Sequence, residues 1–186
     1  MATAAALIPV AALTSRAQAP TPSFSASQRR ILEAFIDRLI LRDESGPGAL
    51  ECGVADYMER SLGGPLAEER PSFLKGLAAV DAFARQVHQG PFAELPPGRR
   101  DDVLAAMEKD AATGFTPSSA AFFSRVRRLT LEGMFGDPYY GGNRGFAGWD
   151  LIRYPGPRLA VAPEQQKMVA PIKPERVSAY GGRHGH

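Results

Sequence analysis

The chain contains little of what disulfide frameworks, metal centres and nucleic-acid-binding surfaces are made from. Its one cysteine, Cys52, excludes an intramolecular disulfide and a zinc site built from several thiolates. Its three histidines show no His-x-x-x-His spacing, which argues against catalytic zinc. The 22 basic and 20 acidic residues give a formal charge of +2, far from the strongly basic balance of a nucleic-acid-binding protein. We therefore expect no bound metal and no nucleic-acid partner.

Long hydrophobic runs are also missing. Residues 1–13 carry no charged side chain, but a membrane-spanning helix needs about 20 apolar residues. Ala17-Gln18-Ala19 has the small-x-small pattern of an export-signal cleavage site, whereas the basic segment that should precede the apolar region is absent. Residues 1–19 are therefore either a truncated export signal or a flexible Ala-rich terminus. We expect contact with a membrane only through a larger complex.

Helical patterning dominates the chain after this segment. Hydrophobic residues make up 44% of the sequence, an ordinary globular share that predicts a packed core. Apolar side chains recur every three or four residues in five segments, and no window alternates like a strand. The predicted helices run from about Ser25 to Arg42, Ala49 to Leu62, Pro71 to Gly90, Asp101 to Gly114, and from Thr116 onward. The sequence thus predicts an all-α bundle of about five helices over residues 20–134.

Local signals support these helices. Ser25 followed by Gln28 is a capping box, and Phe73, Leu77, Val80, Ala84 and Val87 predict one packed face on the third helix. Cys52 is predicted within the second helix as a small buried hydrophobe, with no catalytic role.

Charged pairs and clusters along the helices have structural interpretations as well. Asp101 and Asp102 are adjacent near a helix start, which favours a dipole role over paired acid–base catalysis. The basic cluster around Arg128 is interpreted as a solvated face, with Glu132 one turn away.

Glycine and proline, 19 and 16 residues, are concentrated after the fifth helix. In residues 135–157 they are interleaved with aromatic side chains whose apolar surface is too large to leave in water. Either these rings pack against the bundle while the glycines form tight turns, or they form a partner or ligand surface. The Pro-containing segment 158–186 is predicted to be an extended or flexible C-terminal arm.

A family resemblance rests on this loop. The run Glu132-Gly-Met-Phe-Gly-Asp-Pro-Tyr-Tyr-Gly-Gly-Asn143, followed by Gly148-Trp149 and Tyr154-Pro155-Gly156, resembles the signature of the gluconate 2-dehydrogenase subunit 3 family. The resemblance covers about Ala26 to Pro157. It implies a small accessory subunit of a bacterial periplasmic or membrane-associated dehydrogenase. In such complexes a separate large subunit of the glucose-methanol-choline (GMC) type binds FAD and oxidises a sugar or sugar acid, and a cytochrome c subunit with haem often takes the electrons.

The resemblance implies that this chain has no catalytic residue and no cofactor of its own, and that it works in the periplasm. Its implied role is to bind and stabilise the flavoprotein subunit, with a further role in export of that subunit. The predicted partner-binding residues all lie in the loop: Phe135, Asp137, Pro138, Tyr139, Tyr140, Gly141, Gly142, Asn143 and Trp149. A sharper hypothesis is that Asn143 or Tyr140 reaches the partner's substrate entrance.

Two alternatives stay open on the sequence. One is a stand-alone enzyme or ligand-binding module that uses the Gly141-Gly142-Asn143 loop as its pocket. Residues 141–144 could form a nest of amides for an anion, although they lack the GxGxxG spacing of a dinucleotide site. The other alternative is an export chaperone that is absent from the mature complex.

Overall fold

The computed structural model describes residues 24–158, 160–167 and 173–181. This part of the chain contains six α-helices and no strand, which confirms the predicted all-α fold. The helices are α1 (Ala26–Leu39), α2 (Val54–Gly63), α3 (Arg70–His88), α4 (Pro97–Glu108), α5 (Ser119–Phe135) and the short α6 (Ala147–Leu151). Five single 3₁₀ turns connect or follow them. The predicted export segment, residues 1–19, lies outside the described residues.

The first five helices surround one hydrophobic core. α5 packs along α2 and α4, and α1 contacts each of the other four. Gly76 on α3 permits close packing against α5, because a Cβ atom at this position would lie 2.1 Å from the Phe122 ring. The largest fully buried side chains include Leu32, Phe35, Phe73, Leu77, Phe92, Met107, Leu129 and Met134. They come from α1, α3, α4, α5 and the 3₁₀ turn that begins at Phe92, and α2 adds Val54, Met58 and Leu62.

Two helices begin with the side-chain caps that their sequences favour. The Ser25 hydroxyl accepts a hydrogen bond from the Gln28 amide at 3.2 Å, and the Gln28 side chain accepts one from the Ser25 amide at 2.9 Å. The predicted capping box is therefore confirmed. On α5 the cap is Ser118, whose hydroxyl accepts from the Ala121 amide at 3.1 Å.

The connection between α1 and α2 differs from the prediction. α1 ends at Leu39 rather than Arg42, because Ile40 adopts an extended conformation and its carbonyl accepts from the Ala49 amide at 3.0 Å. α2 begins at Val54 rather than Ala49, since Gly53 has a φ of 73°, a left-handed conformation that interrupts a helix. Cys52 consequently lies in the turn before α2 and not within it.

Three other details of the prediction were wrong. α4 begins at Pro97, four residues before Asp101, because a proline at the first helical position needs no amide partner, and it ends at Glu108 rather than at Gly114. α5 begins at Ser119, after Thr116 and its proline. Val87 was predicted on the packed face of α3, but its side chain is 46% exposed.

The side chains that the sequence offered for chemistry are buried or paired. Cys52 is buried in the core, as predicted, and burial raises the pKa of its thiol. Arg128 pairs with Glu132 at 2.8 Å, and Asp101 pairs with Arg38 at 2.7 Å. Among the described residues, no cluster of three or more His, Cys, Asp or Glu side chains is arranged to hold a metal ion. No helix in these ranges has the length and apolarity required to cross a membrane.

Candidate functional site

Asn143 organises the loop that follows α5. Its side-chain amide donates to the Gly136 carbonyl at 2.9 Å, where α5 has just ended. Its Oδ1 atom accepts from the amides of Gly148 at 2.9 Å and Trp149 at 3.3 Å, in the first turn of α6. Asn143 is fully buried and has a left-handed φ of 44°, which asparagine tolerates better than most residues. One side chain therefore joins the end of α5 to the start of α6.

Two glycines allow the loop backbone to lie directly on α5. A Cβ atom at Gly142 would lie 2.0 Å from the Gly133 carbonyl oxygen, and one at Gly148 would lie 1.9 Å from the Met134 carbonyl oxygen. No side chain fits at such distances from backbone atoms. The backbone amide of Asn143 completes the contact by donating to the Gly133 carbonyl at 2.7 Å. The glycines of this loop thus serve backbone packing as well as turns.

Trp149 fills the space beneath the loop. Its side chain is only 6% exposed, and its indole N–H donates to the Phe135 carbonyl at 2.8 Å. The indole contacts the Phe146 ring at a centroid distance of 5.4 Å and the Tyr154 ring at 4.7 Å. This part of the loop matches the interpretation in which the aromatic rings pack against the bundle.

The loop is also attached to α2 and to the turn before it. The Arg144 amide donates to the Cys52 carbonyl at 3.0 Å, and the Arg144 side chain pairs with Asp56 at 2.5 Å. Asp56 also pairs with Arg29 of α1 at 2.7 Å. The loop is therefore held against α5 and α2, and its own regular structure is limited to two 3₁₀ turns and the short α6.

Three exposed rings form a cluster on the outer side of the loop, which we call the tyrosine patch. It consists of Tyr139, Tyr140 and Tyr180, which are 51%, 45% and 59% exposed. Tyr139 stacks on Tyr180 at a centroid distance of 4.6 Å. The hydroxyls of Tyr140 and Tyr180 lie 2.6 Å apart, and this hydrogen bond raises the pKa of Tyr140. The patch thus presents both ring faces and hydroxyl groups to solvent.

The third ring of the patch comes from the C-terminal arm. Residues 173–181 return to the loop, where Asp137 accepts hydrogen bonds from the amides of both Tyr139, at 2.9 Å, and Ala179, at 2.8 Å. Arg176 pairs with Asp150 of α6 at 2.5 Å. The Glu175 amide donates to the Pro155 carbonyl at 3.0 Å. This part of the predicted arm therefore packs on the chain's own loop.

A pocket of about 400 Å³ lies between the loop and α2. Its lining residues are Arg60, Pro138, Tyr139, Gly141, Gly142, Arg144 and Gly145. The Gly-Gly segment that the sequence offered as a ligand pocket does line a cavity. Asn143, however, is fully buried and does not line the cavity.

The structure divides the predicted partner-binding residues into two groups. Asn143, Gly142 and Trp149 are buried and hold the loop in shape, whereas Tyr139 and Tyr140 are exposed. Phe135, Asp137, Pro138 and Gly141 are partly buried between these groups. Whether any of the nine residues contacts a partner stays a prediction. The buried position of Asn143 nevertheless places its side chain out of reach of a partner's substrate entrance in this conformation.

Sequence reasoning missed Tyr180 and Arg60. Tyr180 is the only aromatic residue of the sequence segment 158–186, and this isolation was the available signal. Arg60 lies among ordinary helical residues, so no local pattern marked it.

One comparison with known proteins identifies a family. The model of a family described as gluconate 2-dehydrogenase subunit 3 matches residues 26–156, which include α1 to α6 and all but the last residue of the loop. Searches of curated proteins and of solved structures found no match.

Proposed function

Because the chain belongs to the gluconate 2-dehydrogenase subunit 3 family, we propose that it is a non-catalytic subunit of a dehydrogenase complex and binds a separate catalytic subunit. The catalytic subunit is a GMC-type flavoprotein that holds FAD and oxidises a sugar or sugar acid. A haem-containing cytochrome c subunit then accepts the electrons. We place the complex in the periplasm, at the surface of the inner membrane.

The observation that carries this proposal is the tyrosine patch. A buried tyrosine typically contributes about 150 to 250 Å² of contact area, so three half-exposed rings offer on the order of 300 Å² for a partner. The largest apolar patch on a typical soluble monomer is about 300 to 600 Å² and is often functional. Tyrosine is also enriched among the residues that dominate binding energy at interfaces.

The buried half of the loop supports the same role. The formation of a complex costs less free energy when the side chains of the binding surface are already ordered. Asn143, Trp149 and the close backbone packing at Gly142 fix the loop, and Asp137 fixes the arm that carries Tyr180. The patch therefore meets a partner as a preformed surface.

The functional consequence for the catalytic subunit is stabilisation by linkage. A partner that binds only the native form stabilises it by about 4 kcal/mol when its free concentration is 1,000 times the dissociation constant. A flavoprotein that is marginally stable alone would then be recovered in soluble form only with this chain.

Co-expression with the neighbouring large-subunit gene tests the proposal. The tagged chain is used for a pull-down, followed by flavin absorbance and dye reduction with a panel of sugars and sugar acids. We expect a stoichiometric yellow complex whose substrate-dependent activity is lost when either chain is omitted. Failure to associate, or turnover by this chain alone, would overturn the proposal.

Substitutions in the tyrosine patch locate the interface. Tyr139→Ala and Tyr180→Ala should each raise the dissociation constant about 30-fold, the effect of a hot-spot loss of about 2 kcal/mol. Val87→Ala is the matched control, because Val87 is an exposed apolar residue on α3. Equal affinity of all three variants and the wild type would assign the interface to another surface.

A further inference from the structure

The pocket between α2 and the loop has an unusual charge pattern. Both of its charged lining residues are arginines, Arg60 and Arg144, and the remaining lining residues are uncharged. A volume of about 400 Å³ is in the range of small-molecule sites. The pocket is therefore large enough for a small anion or for an acidic side chain of another protein.

Arg60 has no carboxylate partner among the described residues. Its side chain makes one hydrogen bond there, to the Tyr139 carbonyl, at the long distance of 3.5 Å. The guanidinium lies over Gly141, where a Cβ atom would be 3.0 Å from Cζ. Gly141 also has a φ of 96°, so glycine is favoured here for both conformation and space. The result is a guanidinium held beside the pocket with most of its five donors unused.

Arg144 is paired but keeps unused donors. Its Nη2 atom pairs with Asp56 at 2.5 Å, and Asp56 also pairs with Arg29 at 2.7 Å. Arg29 has two further carboxylate partners, so Asp56 compensates most of the charge of Arg144. The pocket is therefore left with the uncompensated positive charge of Arg60, which matches a monoanion better than a dianion.

The backbone provides a further donor. The Gly142 amide has no acceptor among the described residues, and Gly142 lines the pocket. No side chain at positions 141, 142 or 145 obstructs the approach of a ligand to this backbone. Amides in glycine-rich turns are common donors to bound anions.

From this arrangement we propose that the pocket binds a carboxylate group, with Arg60 and Arg144 as its charged donors. A planar carboxylate matches the forked donor geometry of guanidinium and carries the single negative charge that the pocket lacks. The carboxylate comes either from a free organic acid or from an acidic side chain of the catalytic subunit. The first source is independent of the proposed function, whereas the second rests on it.

The first arm of the test is a titration of the isolated, isotope-labelled chain, followed by amide NMR shifts. The probe is sodium gluconate, and sorbitol plus matched NaCl provides a neutral polyol and equal ionic strength. If the source is a free acid, gluconate shifts the Gly142 amide with saturation and sorbitol does not. Arg60→Gln should then weaken binding about tenfold, the usual effect of losing a charge-assisted hydrogen bond. Arg99→Gln, an exposed arginine on α4, should leave it unchanged.

The second arm measures affinity for the catalytic subunit. If the source is the partner's side chain, gluconate gives no saturable shift, and Arg60→Gln weakens the complex about tenfold while Arg99→Gln does not. If Arg60→Gln changes neither gluconate binding nor a complex that the wild type does form, the carboxylate site is refuted and the accessory role stands. If the wild type forms no complex, the accessory role fails and the gluconate titration alone decides the carboxylate site.

Discussion

Replacement of Asn143 by alanine should release the loop from the bundle. The substitution removes three hydrogen bonds, from the side-chain amide to Gly136 and from Gly148 and Trp149 to Oδ1. Each bond contributes about 1 kcal/mol net, and buried groups left without partners cost more. Alanine is also less tolerant of the left-handed φ of 44° than asparagine, by about 1 kcal/mol. The expected loss is about 3 to 5 kcal/mol of loop stability.

Two spectroscopic signals show whether the loop or the helical bundle loses stability. Trp149 is the only tryptophan and lies under the loop, so its fluorescence reports the loop, whereas far-UV circular dichroism reports the helices. In urea, Asn143→Ala should lose the buried fluorescence signal at a lower concentration than it loses helical signal. The two transitions of the wild type should lie closer together, since the loop is bonded to α5 and α2.

Asn143→Gly separates the two contributions. Glycine removes the same three hydrogen bonds but adopts positive φ without strain, so it should be about 1 kcal/mol less damaging than alanine. If both variants keep the wild-type fluorescence midpoint, the buried amide network does not hold the loop and the reasoning fails. A loss with alanine and none with glycine would assign the whole effect to the backbone.

Three further predictions test the packing and the charges. Gly142→Ala places a Cβ atom 2.0 Å from the Gly133 carbonyl oxygen and should lower the unfolding midpoint strongly, whereas Gly98→Ala, which meets no atom within 4 Å, should be neutral or slightly stabilising in thermal melts. A hydrogen bond from the Ala120 backbone amide of α5 lowers the pKa of Asp110. The ionised carboxylate therefore stabilises the fold above the unfolded pKa of about 4, and this stabilisation is lost as the pH falls through the folded pKa. Asp110→Asn should destabilise the protein in urea titrations at pH 7, and the difference from the wild type should shrink toward about pH 2. Burial raises the pKa of Cys52, so a thiol reagent should label it only at the rate of unfolding, and rapid labelling of the native protein would contradict its core position.

The bundle was predictable because its information is local. Apolar spacing and caps such as Ser25 act within one or two turns, and they place the helices correctly. The helix ends were less predictable, since they depend on contacts between residues that lie farther apart in the sequence. α1 stops where the Ile40 carbonyl meets the Ala49 amide, nine residues later in the chain. Gly53, which comes directly before α2, and Pro97, at the first position of α4, were local signals that could have corrected two of the predicted helix starts.

The loop shows the other limit of sequence reasoning. Its composition predicted that the aromatic rings would be kept out of water, and this holds for Phe146 and Trp149 but not for Tyr139 and Tyr140. Composition could not say which rings face inward, because that depends on close approaches such as Gly142 to Gly133 and on the three bonds of Asn143. Nor could it bring Tyr180 to the loop, since that contact joins residues 40 positions apart.

The proposed interface and the buried network are physically coupled. The tyrosine patch is useful to a partner only while the loop and the arm hold its three rings together, and a mobile patch would have to be ordered on binding. Asn143 is fully buried and can touch no partner in this conformation, yet Asn143→Ala should weaken the complex by loosening the surface above it. The loss should be smaller in Tyr139→Ala than in the wild type, because part of the surface that Asn143 holds in place is already gone. If the losses of binding free energy in the two single variants add up to the loss in the double variant, the buried network and the patch act independently. The order of the loop would then stabilise this chain without helping it to bind a partner.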